Sequence, residues 1–274
     1  MLLSSPTSPS FSVLHWLKAD ARHFQILFQV IFLCYGIYML HWEASPMKYF
    51  ITFATVLLVQ WCFNNYHREV FNYKSAFITG LSLCLMLKVN NPFTLCIAGS
   101  IAIASKFWLK ANDKHFFNPA NIGICLTMLF TDDAWISPGQ WGSRALLFFL
   151  IGTAGFLVLF RIKRIDTALA FLITFLVLQY LRQIYFLRWE QDFFIHQLNS
   201  GTLLLFTFFM ITDPVSSPRN NVARIMWAAA VAGLAFYLQT FKWINGAPIW
   251  ALFFLSMTTP SIDYLFKGNK FNWK

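Results

Sequence analysis

Two polar stretches interrupt an otherwise apolar chain, and they hold most of the side chains able to bind something. The first, "FNPANIG" at 117–123, places Pro119 where the first turn of a helix tolerates a missing N–H, with Asn118 as its cap. The N–H groups freed at such a start carry partial positive charge and favour an anion, a carbonyl or a phosphate. Asn118 and Asn121 add two amides that both donate and accept. The same residues would equally satisfy the backbone of a helix broken inside a membrane, so both readings stand. In the second stretch, "ITDPVSSPRNN" at 211–221, Thr212 and Asp213 end a segment that Pro214 and Pro218 forbid from continuing. Arg219 is near enough in sequence to compensate Asp213, which makes this either a turn with a local ion pair or the rim of a site.

Fewer groups of this kind stand elsewhere. Lys106 closes an apolar run and reads as a snorkelling lysine, and His115 on the next loop reads as a surface histidine. Asp263, near the inner end of the last run, could accept a bond from Arg or Lys, and an intramembrane carboxylate is costly enough to be a functional suspect. Cys34, Cys62, Cys84, Cys96 and Cys125 lie in apolar runs without a CxxC pair and read as buried thiols, so no metal site is expected. No GxSxG, HExxH or GxxxxGK[ST] pattern occurs, which argues against enzyme chemistry by side chains alone.

The elements that must position these groups are membrane helices. The 274 residues are 58% hydrophobic and 12% charged, against roughly 25% charged in a soluble domain. Most of the 11 Trp and 9 Tyr fall near the ends of apolar runs, as in interfacial belts. The net charge of +10 is spread singly between runs rather than gathered on one face, which argues against a nucleic-acid partner. Apolar runs long enough to cross lie at 23–41, 47–63, 92–108, 145–160, 167–186, 224–241 and 249–266. Three more, at 75–88, 118–131 and 199–212, are short enough to be broken or re-entrant helices.

Counting every run once predicts an all-α, polytopic membrane protein of about ten transmembrane segments. With both termini inside, 15 of the 21 Lys and Arg face the cytoplasm and 6 face outward. The predicted parts are an N-terminal segment at 1–22 with an interfacial helix, repeats at 23–131 and 145–266, an outer loop at 132–144 and a tail at 267–274. Ser75 and Ser200 open matching short segments, and Pro119 matches Pro248, at offsets of 125 and 129 residues. Five crossings per half require the second copy to be inverted, which places a site near the midplane between the halves.

The runs "YKSAFITGLSLCLMLKVNNPFTLCIAGSIAIASKFWLKANDKHFFNPANIG", "WISPGQWG", "IHQLNSGTLLLFTFFMITDPVSSPRNNVARIMWAAAVAGLAFYL" and "GAPIWALFFLSMTTPSIDYL" cover most of the chain from about residue 72 onward. They resemble the RnfD component of the Rnf electron-transport complex and the NqrB component of the sodium-pumping NADH:quinone reductase. The resemblance rests on Ser75, Thr79, Gly80, Lys106, Asn118, Pro119, Asn121, Gly123, Ser200, Gly201, Thr212, Asp213, Pro214 and Pro218. It implies a bacterial inner-membrane redox subunit rather than a stand-alone enzyme, with lipid around it and other Rnf/Nqr-type subunits beside it. It also implies an inverted-repeat fold like that of urea channels, electron relay coupled to Na+ or H+ movement, and a bound flavin (FMN or riboflavin). Relatives attach FMN to a Thr in a Ser-Gly-Ala-Thr type motif. No such motif occurs between Trp141 and His196, so the flavin is expected to be non-covalent. The expected contacts are Ser75, Thr79, Lys106, His115, Asn118, Asn121, Ser200, Thr202, Thr212 and Asp213, with Lys106 neutralising a reduced flavin or a phosphate. The rival expectation is a small-solute transporter or channel on the same fold.

Overall fold

The computed structural model describes residues 20–42, 45–137, 145–198 and 200–271. The expected interfacial helix within 1–22 falls largely outside them, as do residues 138–144 of the expected outer loop. Twelve helices are described. In the first half they are α1 (Ala21–Met39), α2 (Pro46–His67), α3 (Tyr73–Met86), α4 (Thr94–Trp108) and α5 (Pro119–Phe130). The second half holds α6 (Ala145–Ile162), α7 (Ile165–Tyr180), α8 (Gln191–Leu198), α9 (Gly201–Leu205), α10 (Asn221–Phe241), α11 (Ala247–Ser256) and α12 (Thr259–Leu265). π-Helical turns extend α7 over Leu181–Phe186 and α9 over Phe206–Met210.

The starts of these helices follow from local chemistry. Asp20, Ser45, Asn72, Asn118, Ser200 and Asn220 each accept a backbone N–H from the first turn they precede. Proline stands in the first turn of α2, α5, α11 and α12.

Among the described residues, three helical stretches are long and apolar enough to cross a membrane: Pro46–His67, Ile165–Phe186 and Asn221–Phe241. Their outward faces carry exposed Phe50, Leu58 and Trp61 on α2, Leu169, Ile173 and Val177 on α7, and Val222 and Met226 on α10. An apolar exterior on this scale suits lipid and would be a liability in water. α3, α4, α5, α11 and the extended α9 are shorter apolar helices. α4 packs on α2 and α5, α10 packs on α7 and α11, and α5 meets α11 between these groups. Close approach of α4 and α5 depends on Gly123, where a Cβ would lie 2.8 Å from both Ala102 Cβ and Ala98 O.

Several expectations need correction. The run at 249–266 is two helices, because a turn at Met257–Thr258 separates α11 from α12 and Pro260 starts the latter. Cys34 and Cys62 face outward; Cys84 and Cys125 are the enclosed thiols. The first helix begins at Ala21 rather than at His23. Two short antiparallel pairs accompany the helices. β1 (Leu87–Val89) joins β4 (Ala134–Ile136), and β2 (Lys110–Ala111) joins β3 (Lys114–His115).

Asp133 secures the end of the β1–β4 pair. It accepts from Thr94 Oγ1 at 2.6 Å and from Asn91 N at 2.9 Å. The Thr94 bond foremost, with the neighbouring backbone bonds, holds the carboxyl below its ordinary 3.8. A lowered carboxylate pKa stabilises the fold above the ordinary value, and that contribution is lost as pH falls through the lowered one. Asp133→Ala is therefore expected to melt earlier than the parent at pH 7. The gap should close in acid, as thermal melts at a series of pH values would show.

Candidate functional site

Two cavities form where short helices meet. The first, about 240 Å³, lies among the starts of α3 and α5 and the end of the extended α9. Its lining includes Ser75, Thr79, His115, Asn118, Thr212 and Asp213, six of the ten predicted contacts. The second, about 690 Å³, is lined by Ser200 and Thr202 at the start of α9, by Gly246–Ile249 at the start of α11, and by Trp135, Phe175 and Phe206. Because α5 and α9 each run from one cavity to the other in opposite directions, the cavities sit at opposite ends of these helices. The ten contacts expected at one midplane site are thus divided.

A closed layer separates the cavities. Asn118 Nδ2 donates to Met210 O at 3.2 Å, and Asn121 Nδ2 donates to Ile249 O at 2.8 Å. Asn121, Phe206, Met210 and Ile249 are all buried, and Asn121 lines neither cavity. Lys106 is also behind the wall and is not a snorkelling lysine. It is buried, and its ammonium donates to Ser75 Oγ at 3.0 Å and Ser75 O at 3.2 Å, with Gln60 Oε1 at 3.5 Å.

The hydroxyls of Thr79 and Thr212 spend their hydrogens on Ser75 O and Phe208 O, so each presents oxygen lone pairs alone to the first cavity. Asp213 accepts from Ser216 Oγ at 3.0 Å and Val215 N at 3.1 Å. The side chain within ion-pair distance of it is His115, with Nε2 at 3.8 Å, and not Arg219. Burial alone would raise the Asp213 carboxyl; the His115 interaction and the Val215 and Ser216 bonds outweigh it and hold the group low.

The loop 213–220 is pinned by cations that the sequence reading did not single out. Lys114 donates to Ser217 O at 2.6 Å and pairs with Asp263 at 2.7 Å, so the carboxylate's partner is a lysine. Burial lowers the Lys114 ammonium, and Asp263 partly opposes this. Arg164 reaches Pro214 O at 3.1 Å, while Arg224, 2% exposed, pairs with Asp166. Arg219 instead donates its backbone N–H to Asp263 and its guanidinium to Asn112 O. Lys114 and Asp263 are far apart in sequence, so no local pattern marks them as a pair.

In the second cavity, Thr202 Oγ1 donates to Ser137 O at 2.9 Å, fixing the start of α9 against the end of β4. Asn245, Gly246 and Gln239 also line it and were not singled out, although Asn-Gly before proline is a turn signal. Gly246 has φ +67°, and a Cβ there would fall 2.1 Å from Ile136 Cδ1. Gly246→Ala should cost about 1–2 kcal/mol from the backbone alone. The clash adds to that cost, and trimming Ile136 to alanine should relieve the clash but not the backbone term. Chemical denaturation of the single and double variants separates the two.

The residues of the second cavity run from Met128 to Ile249. The model of the NQR2, RnfD, RnfE family matches residues 127–272, more than half of the chain and the whole of that lining. The chain belongs to this family. Among similar proteins, an ion-translocating oxidoreductase complex subunit from Alcanivorax borkumensis is 34% identical over 68 residues, 25% of this chain and 20% of the relative. The protein of the same description from Vibrio atlanticus is 34% identical over 73 residues, 27% of this chain and 21% of the relative. That from Buchnera aphidicola is 29% identical over 75 residues, with the same 27% and 21% coverage. The chain therefore spans about a fifth of the length of the curated relatives it matches. Ser200, Thr202, Thr212 and Asp213 lie within the family match, whereas the six other predicted contacts precede it.

Proposed function

We propose that this member of the NQR2, RnfD, RnfE family is a membrane subunit of an ion-translocating oxidoreductase, that it binds one flavin non-covalently in the second cavity, and that it works beside other subunits of such a complex. The observation that carries this reading is the second cavity itself. Its volume of about 690 Å³ lies within the roughly 300–1,000 Å³ of small-molecule sites. Trp135, Phe175 and Phe206 offer apolar walls to a planar ring system, and Ser200, Thr202, Gln239 and Asn245 offer polar atoms around it. The first cavity, at about 240 Å³, lies below that range.

A flavin supplies one- and two-electron transfer, and the chain would supply position and surroundings. Thr202 and Asn245 would offer it polar contacts, and the layer of Phe206, Met210 and Ile249 would keep water from it on that side. The first cavity, with the Asp213 carboxylate and the oxygens of Thr79 and Thr212, is the place for the coupled cation or proton.

Ten crossings in two inverted repeats, at 23–131 and 145–266, belong to the same proposal. So does a bacterial inner membrane with both termini in the cytoplasm. The supporting arrangement is that α3 and α5 start at one cavity while their sequence counterparts α9 and α11 start at the other. The solute-channel alternative needs a path between the cavities, and the buried Asn121–Ile249 bond lies across that path. Titrating FMN and riboflavin into the detergent-purified chain tests the reading. Saturable quenching of flavin fluorescence is expected; no binding in either oxidised or reduced buffer would reject it.

A further inference from the structure

A third cavity, about 350 Å³, lies between the start of α2, the end of α3 and the β1–β4 pair; it shares Trp135 with the second cavity and no residue with the first. Trp42, Lys48, Tyr49, Lys88 and Trp135 line it, and none of its described lining residues is acidic. The Tyr49 hydroxyl is enclosed and has no hydrogen-bond partner. A buried hydroxyl without a partner forfeits its hydration, so the site lacks an acceptor that this O–H would meet. Lys48 spends one of its three N–H donors on Val89 O at 2.6 Å. The Lys88 ammonium stands 5.3 Å from the centre of the Trp42 ring.

We propose that this cavity binds the phosphodiester headgroup of an anionic phospholipid, with Tyr49, Lys48 and Lys88 as the donors. The inside-facing charge bias leaves only 6 Lys and Arg on the outer side of the sequence-based topology, and two of them meet here. Lipid is favoured over free phosphate by what surrounds the donors. Lys48 lies in the first turn of α2, a membrane-length helix, between the exposed Met47 and Phe50, with exposed Tyr38 and Met39 at the end of α1. Two indoles flank the cavity, as expected at the headgroup level of a bilayer.

Native mass spectrometry of the full chain in detergent tests this. The probes are phosphatidylglycerol, phosphatidylethanolamine with the same acyl chains, and inorganic phosphate. Wild type is expected to retain phosphatidylglycerol over phosphatidylethanolamine. Lys48→Ala/Lys88→Ala should lose that preference, and Tyr49→Phe should weaken retention by roughly tenfold, the size of one hydrogen bond to a charged group. Lys88→Gln leaves the Lys48–Val89 bond in place and provides the same test if the double variant fails to fold. Equal retention of the two lipids by wild type, or unchanged retention in the variants, would overturn the proposal. Displacement of the lipid by millimolar phosphate would overturn the choice of lipid.

Discussion

Asp263→Ala is expected to destabilise the protein by about 3–5 kcal/mol, the range found when one partner of a buried ion pair is removed. The Lys114–Asp263 pair is 2.7 Å long, and the side chains are 7% and 1% exposed. Without the carboxylate, Lys114 keeps one bond, to Ser217 O, and an enclosed charge whose remaining opposite charge is the more weakly interacting Asp213. Asp263 also accepts the Arg219 N–H, so the turn that closes the 213–220 loop loses its anchor in the same step. Replacing both partners, as in Lys114→Met/Asp263→Leu, should recover a large part of the loss, because an apolar pair of similar size carries no desolvation penalty. Denaturant titrations of parent, single and double variants in one detergent decide the matter. A single variant as stable as the parent would mean that water reaches the pair.

Thr202→Trp is expected to reduce flavin content at least about tenfold, since an indole placed at the start of α9 occupies the space a planar ring system would need and tenfold corresponds to about 1.4 kcal/mol. The change also removes the hydroxyl that bonds Ser137 O, so its effect on folding must be followed separately by thermal melting. Ser75→Ala serves as the comparison, because Ser75 lines the first cavity only. Flavin content measured per mole of folded protein should fall in the first variant and hold in the second. The opposite pattern would move the flavin to the first cavity.

What the sequence made legible was local. Asn118 and Pro119 announced a helix start, Pro214 and Pro218 announced a helix end, and the structure has both. The shortness of α3, α5 and α9 could be read from Ser, Asn and Asp at the ends of their apolar runs. Charge pairing was not legible in the same way. Arg219, six residues from Asp213, is the cation that the sequence offers it, yet His115, 98 residues away, is the group that faces it. For Lys106 the apolar run alone suggests a snorkelling lysine, since a lysine at the end of such a run usually reaches the interface. The carbonyl and hydroxyl of Ser75 made an inward position tolerable instead. The division of the candidate residues between two cavities depends on α5 and α9 running in opposite directions past each other. No spacing along the chain records that.

The most direct measurement is an absorbance spectrum of the protein purified from membranes, recorded before and after acid precipitation. A flavin spectrum that passes wholly into the supernatant, close to one flavin per chain, is expected. A colourless protein, made with riboflavin and FMN supplied throughout, would contradict the assignment of a flavin to the second cavity.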